Sequence, residues 1–189
     1  MIGAQRALDL SIDSETHELA AEAWNAQLFA LSDPEDDHGP LDRQLIARAA
    51  ILRVNRWDDD WLDSLDAVSG DLQQVGEAFL DEDVIMGVDE DSVFASSLVI
   101  LDFVGVPEQH RGSGNSLALA RGAAHIFRKD IVALMPAELS RDETGKLVLD
   151  LAKRDAVRAD WIKSGFVEIP GTSVLMLPFS AKDGGGSSE

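Results

Sequence analysis

The sequence predicts an α/β fold, and three observations carry that prediction. An apolar, β-branched run over residues 93–106 leads into two glycines one residue apart, Gly112 and Gly114, and then into a helical pattern. A second short apolar run, 131–135, is closed by Pro136 and reads as another buried strand. After a further helical segment, residues 166–169 and 174–177 flank a Pro-Gly-Thr-Ser turn and read as a hairpin-like pair of strands.

Taken in order, residues 5–13 alternate moderately and suggest a first strand. Ser14 resembles a helix N-cap, and Leu19, Ala23, Ala26 and Ala30 follow at helical spacing, so a helix is expected over 15–31. A polar loop rich in Asp and Pro follows. Pro40 can open a second helix, expected over 41–57 with Leu45, Ala49 and Leu52 on one face. Short helices are expected near 61–68 and 72–80, interrupted by Gly70, and a strand over 84–88. The run 93–106 is too long for one ordinary strand and suggests one bent strand or two broken near Ser96 and Ser97. Helices follow over 117–128 and 147–164, with a polar loop at 140–146 and Gly165 placed as a left-handed C-terminal cap. The Gly/Ser-rich end, 181–189, reads as a flexible tail outside the fold.

Composition excludes several classes of function. The chain has 189 residues, enough for one domain with a full core, here expected over 1–180. It has no cysteine, hence no disulfide and no thiolate nucleophile or ligand, and its four histidines show no metal-ligand spacing. No apolar run approaches a membrane span and no signal peptide is evident, so a cytoplasmic location is the default expectation. The net charge of −19 is uneven: residues 1–91 hold 23 Asp/Glu against 5 Arg and no Lys, and residues 92–189 hold 12 acidic against 11 basic. That excess disfavours nucleic acid as a partner and would suit a cationic ligand or, in an acidic interaction protein, a basic partner engaged by the helical first half; acidic residues that only solvate the surface, or a salt-rich or high-GC source, also account for it.

The segment with the most chemistry is the glycine turn. Strand, glycine turn and helix start together present several backbone N–H groups to one anion. Gly112 and Gly114 leave no side chain between that backbone and a diphosphate, and the N–H groups of about residues 110–116 are the expected donors. Arg111 and the helix dipole add positive potential. No Gly-Lys-Ser/Thr follows, so this is not a Walker loop, and Leu117 breaks the dinucleotide pattern.

Gln109-His110-Arg111-Gly112-Ser113-Gly114 resembles in full the Q/R-x-x-G-x-G/A diphosphate loop of the GNAT superfamily of acetyl-CoA-dependent N-acetyltransferases. The strand before it, ending in Val104-Gly105-Val106-Pro107-Glu108, resembles that family's fourth strand, where a bulge splays the sheet and free backbone groups hold the pantetheine arm. A second motif, helix then Gly-Phe then strand, resembles the family's C-terminal motif over residues 159–166. The resemblance covers roughly 93–179. It implies a mixed, mostly antiparallel sheet with flanking helices, with 93–180 as the coenzyme-binding half and the acidic, helix-rich 1–92 on the acceptor side. It implies acetyl-CoA as co-substrate, bound through Val104, Gly105, Val106, Gln109, His110, Arg111, Gly112, Ser113, Gly114, Asn115 and Ser116. It further implies an amine acceptor, which the acidic half inclines towards a polyamine, an aminoglycoside, or a protein lysine or N-terminus. A homodimer is compatible with the sequence.

The chain departs from the family in one chemical respect. It contains no tyrosine, and Trp161 stands where a thiolate-protonating tyrosine is frequent. Either solvent or another group protonates the thiolate, or the domain binds coenzyme without efficient turnover. Asp102 is the only charged residue within 93–106 and is the candidate base or amine-orienting carboxylate, because burial would raise its pKa into a useful range. The alternative is a hydrated carboxylate at a strand bulge or edge. Glu108 and Glu138 are weaker candidates. His125 and the four tryptophans, Trp24, Trp57, Trp61 and Trp161, read as structural.

Overall fold

The computed structural model describes residues 5–12, 21–32, 42–137, 139–141, 147–149 and 151–179. Strands β1 (Gln5–Ile12), β2 (Ala21–Ser32) and β3 (Asp42–Asn55) form an antiparallel meander. Helices α1 (Trp61–Val68), α2 (Gly70–Glu77) and α3 (Glu82–Val88) follow, then a 3₁₀ turn at Glu90–Phe94. Next come β4 (Ser97–Gly105), a 3₁₀ turn at Glu108–His110, α4 (Asn115–Ile126) and β5 (Ile131–Leu134). The small strands β6 (Leu139–Arg141) and β7 (Leu147–Leu149) pair with each other. Helix α5 (Leu151–Lys163) and the hairpin of β8 (Val167–Glu168) and β9 (Leu175–Leu177) complete the described chain.

The main sheet has seven strands in the order β1-β2-β3-β4-β5-β9-β8. Only β4 and β5 are parallel neighbours, so the expected mixed, mostly antiparallel sheet with flanking helices is what the chain builds. Helices α1, α2 and α3 cover one face, where Trp61, Leu65, Leu72, Val75 and Ile85 pack on Leu98, Ile100, Ile131 and Met176. Helices α4 and α5 cover the other, where Leu119, Ala120, Ala123 and Trp161 pack on Ala26, Ala47, Ala49, Val99 and Val132.

Where helices were expected over 15–31 and 41–57, residues 21–32 and 42–55 are instead the long strands β2 and β3, and the helix-rich first half is corrected accordingly. Alanine explains the difference. Ala26, Ala47 and Ala49 are buried beneath the alanines of α4, and small residues on both sides let helix and sheet approach closely. The same alanines favour a helix in isolation, and β2 has no Val, Ile or Thr to oppose that reading. Tertiary pairing on both edges overrides the local preference. An extra residue in β3, Ile46, opposite the step from Leu28 to Phe29, further breaks the two-residue period. The proposed cap at Ser14 lies outside the described residues.

The expected strand over 84–88 is helix α3, because Asp81 caps it: its side chain accepts from the N–H groups of Asp83 and Val84 at 3.1 and 3.2 Å. The helix expected from 147 starts at Leu151, since 147–149 pairs with β6, of which residues 140 and 141 were expected in a loop. Gly165 has φ +98° and ends α5 as expected: Phe166 N–H donates to Trp161 O at 3.3 Å and Gly165 N–H to Ile162 O at 3.0 Å. Gly122 lets α4 lie on β1, where an added Cβ would meet Leu8 Cδ2 at 2.7 Å.

Candidate functional site

The site forms where β4 leaves the sheet and α4 begins. Strand β4 pairs with β5 only from Leu98 to Ile100. On its other edge, Leu101 faces Ile51 and Phe103 faces Ala50, so Asp102 is the extra residue of a β-bulge. A bulge bends its strand. From Asp102 to Gly105 the β5-facing edge of β4 has no strand partner among the described residues. The bulge that the resemblance implies for the fourth strand is present.

The bulge also sets which side chains share a face. Leu101 and Val104 pack under α4 and α5, whereas Phe103 and Gly105 stand opposite Ala50 and Arg48 on the α2 side of the sheet. Paired residues share a face. Phe103 is 50% exposed, and its ring lies across Gly105: a Cβ there would meet Phe103 Cε1 at 2.7 Å. The Arg48 guanidinium carbon lies 5.7 Å from the centre of that ring. Beyond it, Asp9, Asn25 and Gln27 are exposed at paired positions on β1 and β2, so this end of the sheet presents an open polar face.

Asp102 is on this face and exposed, at the bulge where the hydrated alternative placed it, rather than buried in the apolar run. The surrounding protein pushes its carboxyl pKa up, first by desolvation and then by the negative charge of Asp71 on α2. Asp71 had no signal in the sequence, because only the packing of α2 against β4 brings it near the bulge.

Past β4 the chain makes two tight turns. His110 N–H donates to Pro107 O at 2.8 Å and Arg111 N–H to Glu108 O at 3.2 Å. Those two donors, expected to face the ligand, are therefore engaged within the loop. Gly112 and Gly114 both lie in the left-handed region, at φ +73° and +70°. A Cβ on either would meet nothing within 4 Å, so backbone conformation rather than crowding requires glycine, and open space lies before the loop. The buried Asn115 side chain closes the loop, its Nδ2 donating to His110 O at 3.1 Å.

Six successive N–H groups, of Gly112, Ser113, Gly114, Asn115, Ser116 and Leu117, have no acceptor among the described residues. They lie at the N-terminus of a 12-residue helix, where the dipole favours an anion. Arg111 is held beside them, its Nε donating to Val106 O at 3.3 Å. His110 Nε2 is buried with no hydrogen-bond partner among the described residues. Unclaimed donors, open space and a nearby guanidinium suit a bulky polyanion such as a diphosphate.

The other candidates separate from this site. Trp161 is buried, 5.2 Å ring to ring from Phe166, and belongs to the core under α5. Trp24 packs edge-on to Phe127, Trp61 is buried and His125 is exposed. Glu108 is exposed in the 3₁₀ turn. Glu138 lies outside the described residues. No group of His, Cys, Asp and Glu among the described residues could hold a metal, and no described helix is long and apolar enough to cross a membrane.

No family model matches the chain, and no curated protein sequence matches it. Among solved structures it is similar to arylalkylamine N-acetyltransferase 2 from Aedes aegypti, at 11% identity and a TM-score of 0.33, over 79% of this chain and 70% of that one.

Proposed function

We propose that this chain is a GNAT-type N-acyltransferase that moves an acetyl group from acetyl-CoA to an amine. The observation that carries the reading is the continuity of two features: the six unclaimed N–H groups around the start of α4 and the unpaired β4 edge that leads to Asp102. The N–H groups of residues 112–117, with Arg111, hold the diphosphate. The edge of Val104, Gly105 and Val106 holds the pantetheine arm, with Gln109 and His110 shaping the loop behind it. The acidic first half forms the acceptor side.

Bound acetyl-CoA supplies an activated acyl carbon. The acceptor reaches it as a neutral amine, which requires loss of a proton from the ammonium form. Asp102 orients the amine from the polar face of the sheet and takes that proton, directly or through water. A backbone N–H at the β4 splay receives the developing negative charge on the acyl oxygen. The new C–N bond replaces the C–S bond, and the departing thiolate is protonated by solvent, since no tyrosine exists and Trp161 is buried.

That last observation also favours a second reading, coenzyme binding without efficient transfer. A thermal-shift titration with acetyl-CoA tests both, and no shift at millimolar coenzyme overturns both. Thiol release with a panel of amines then separates them.

A further inference from the structure

We propose that the surface around the β3–α1 turn, built by Trp57, Leu80 and Phe94, docks a basic amphipathic polypeptide segment of a partner protein. Arg56 organises this surface. Its backbone N–H donates to Ser96 O at 2.7 Å, its Nη2 to Phe79 O at 3.1 Å and its Nη1 to Ala95 O at 3.5 Å. One residue thereby ties together the end of β3, the end of α2 and the entry to β4. The neighbour of each tied residue projects outwards: Trp57 is 60% exposed, Leu80 57% and Phe94 79%. These are the three most exposed large apolar side chains among the described residues, and each adjoins Arg56 itself or a residue whose carbonyl its guanidinium bonds.

Along the chain, acidic runs flank this cluster. Residues 58–60, 81–83 and 89–91 are three runs of carboxylates, each within three residues of one of the apolar side chains. From Trp57 to Gln109 the chain has no Lys, Arg or His. Arg56 offsets these carboxylates only in part: its guanidinium is turned to backbone carbonyls, its Nε is buried, and Glu82 is the one among them whose charge acts on it. A shallow depression lined by Leu80, Asp81, Glu82 and Asp83 runs beside it.

Exposed apolar anchors flanked by one charge mark a contact surface, and the charge selects the occupant. Anionic lipid and nucleic acid are repelled. A second copy of a chain carrying −19 is also disfavoured. A segment with Lys or Arg around apolar anchors satisfies both features. The surface shares no residue with the diphosphate loop or with Asp102, so the inference stands apart from the acyltransfer reading.

The test is titration of the full chain with three labelled synthetic peptides, read by fluorescence anisotropy: a helical Lys/Leu peptide, its Glu/Leu counterpart and a Lys/Ser peptide. The Lys/Leu peptide is expected to bind best and the Glu/Leu peptide not at all. Phe94→Ser and Leu80→Ser are each expected to weaken Lys/Leu binding about tenfold. The double substitution Glu90→Gln with Asp91→Asn should weaken it further at low salt, while Leu151→Ser, an exposed apolar control on α5, should leave it unchanged. Equal binding of the Lys/Ser peptide, or equal loss with Leu151→Ser, would overturn the proposal. So would binding to phosphatidylserine vesicles, or self-association in sedimentation, that Phe94→Ser removes.

Discussion

The buried amide of Asn115 donates to the carbonyl of His110 at 3.1 Å, and this bond joins the first residue of α4 to the turn before the glycine pair. It holds the N–H groups of residues 112–117 in one arc. Asn115→Ala removes the bond and leaves the His110 carbonyl to find water. The expected loss is about 1 kcal/mol of stability by urea unfolding, with weaker coenzyme binding by calorimetry. Full affinity in the variant would show that the arc does not depend on this closure.

At Gly112 the backbone and the charge of a substitution can be separated. Asn tolerates φ near +73° better than most residues and matches Asp in size. Gly112→Asn should therefore fold with a cost of about 1 kcal/mol and keep part of its coenzyme affinity. Gly112→Asp should lose binding beyond that, because its carboxylate meets the diphosphate, and the gap between the two variants should narrow as salt rises. Equal affinities at low salt would remove the anion from this loop.

Asp102 links the site to pH. Its carboxyl pKa is raised in the folded protein by desolvation and by Asp71, so the folded state binds that proton more tightly than the unfolded state does. The associated stability is present below the ordinary carboxylate range, about pH 4, and is lost as pH rises through the folded pKa. Asp102→Asn should accordingly melt at a higher temperature than the parent at pH 7, with the gap closing on acidification, while amine turnover falls. A lower melting temperature at pH 7 would contradict the assignment.

Asp71→Asn removes one of the two causes that raise that pKa. The acidic limb of the pH–rate profile should move to lower pH, with the plateau rate retained if Asp71 acts only through its charge. An unmoved limb would mean that Asp102 is not the group being titrated.

A purely structural expectation concerns Gly76 on α2. A Cβ there would lie 2.6 Å from Leu65 Cδ1, 2.7 Å from Leu62 Cδ1 and 3.1 Å from Trp61 Cζ3. Gly76→Ala gains about 1 kcal/mol of helix propensity but overpacks the α1–α2 contact, at a typical cost of about 1–3 kcal/mol. Net destabilisation in urea is the expected result, and a more stable variant would show that α1 shifts freely.

The glycine turn was legible because its requirements are local. A left-handed backbone at two positions selects glycine, and the apolar strand before and the small-residue helix after need no distant partner to be recognised. The hairpin of β8 and β9 and the cap at Gly165 were legible for the same reason. Strands β2 and β3 were not, because their alanines are chosen to fit beneath α4, a contact between residues some 70 to 100 positions apart that leaves a helical signature in the local sequence.

The sequence by itself determined the order strand, glycine turn, helix, the presence of one carboxylate in the apolar run and the concentration of acid in the first half. Tertiary structure alone decided that Asp102 is the bulge residue, that β4 parts from β5 beyond Ile100, and that Asp71 lies near enough to raise the Asp102 pKa. It alone gathered Trp57, Leu80 and Phe94 around Arg56. Strand register and helix docking are set by the summed burial of many distant side chains, and no local window of sequence contains that sum.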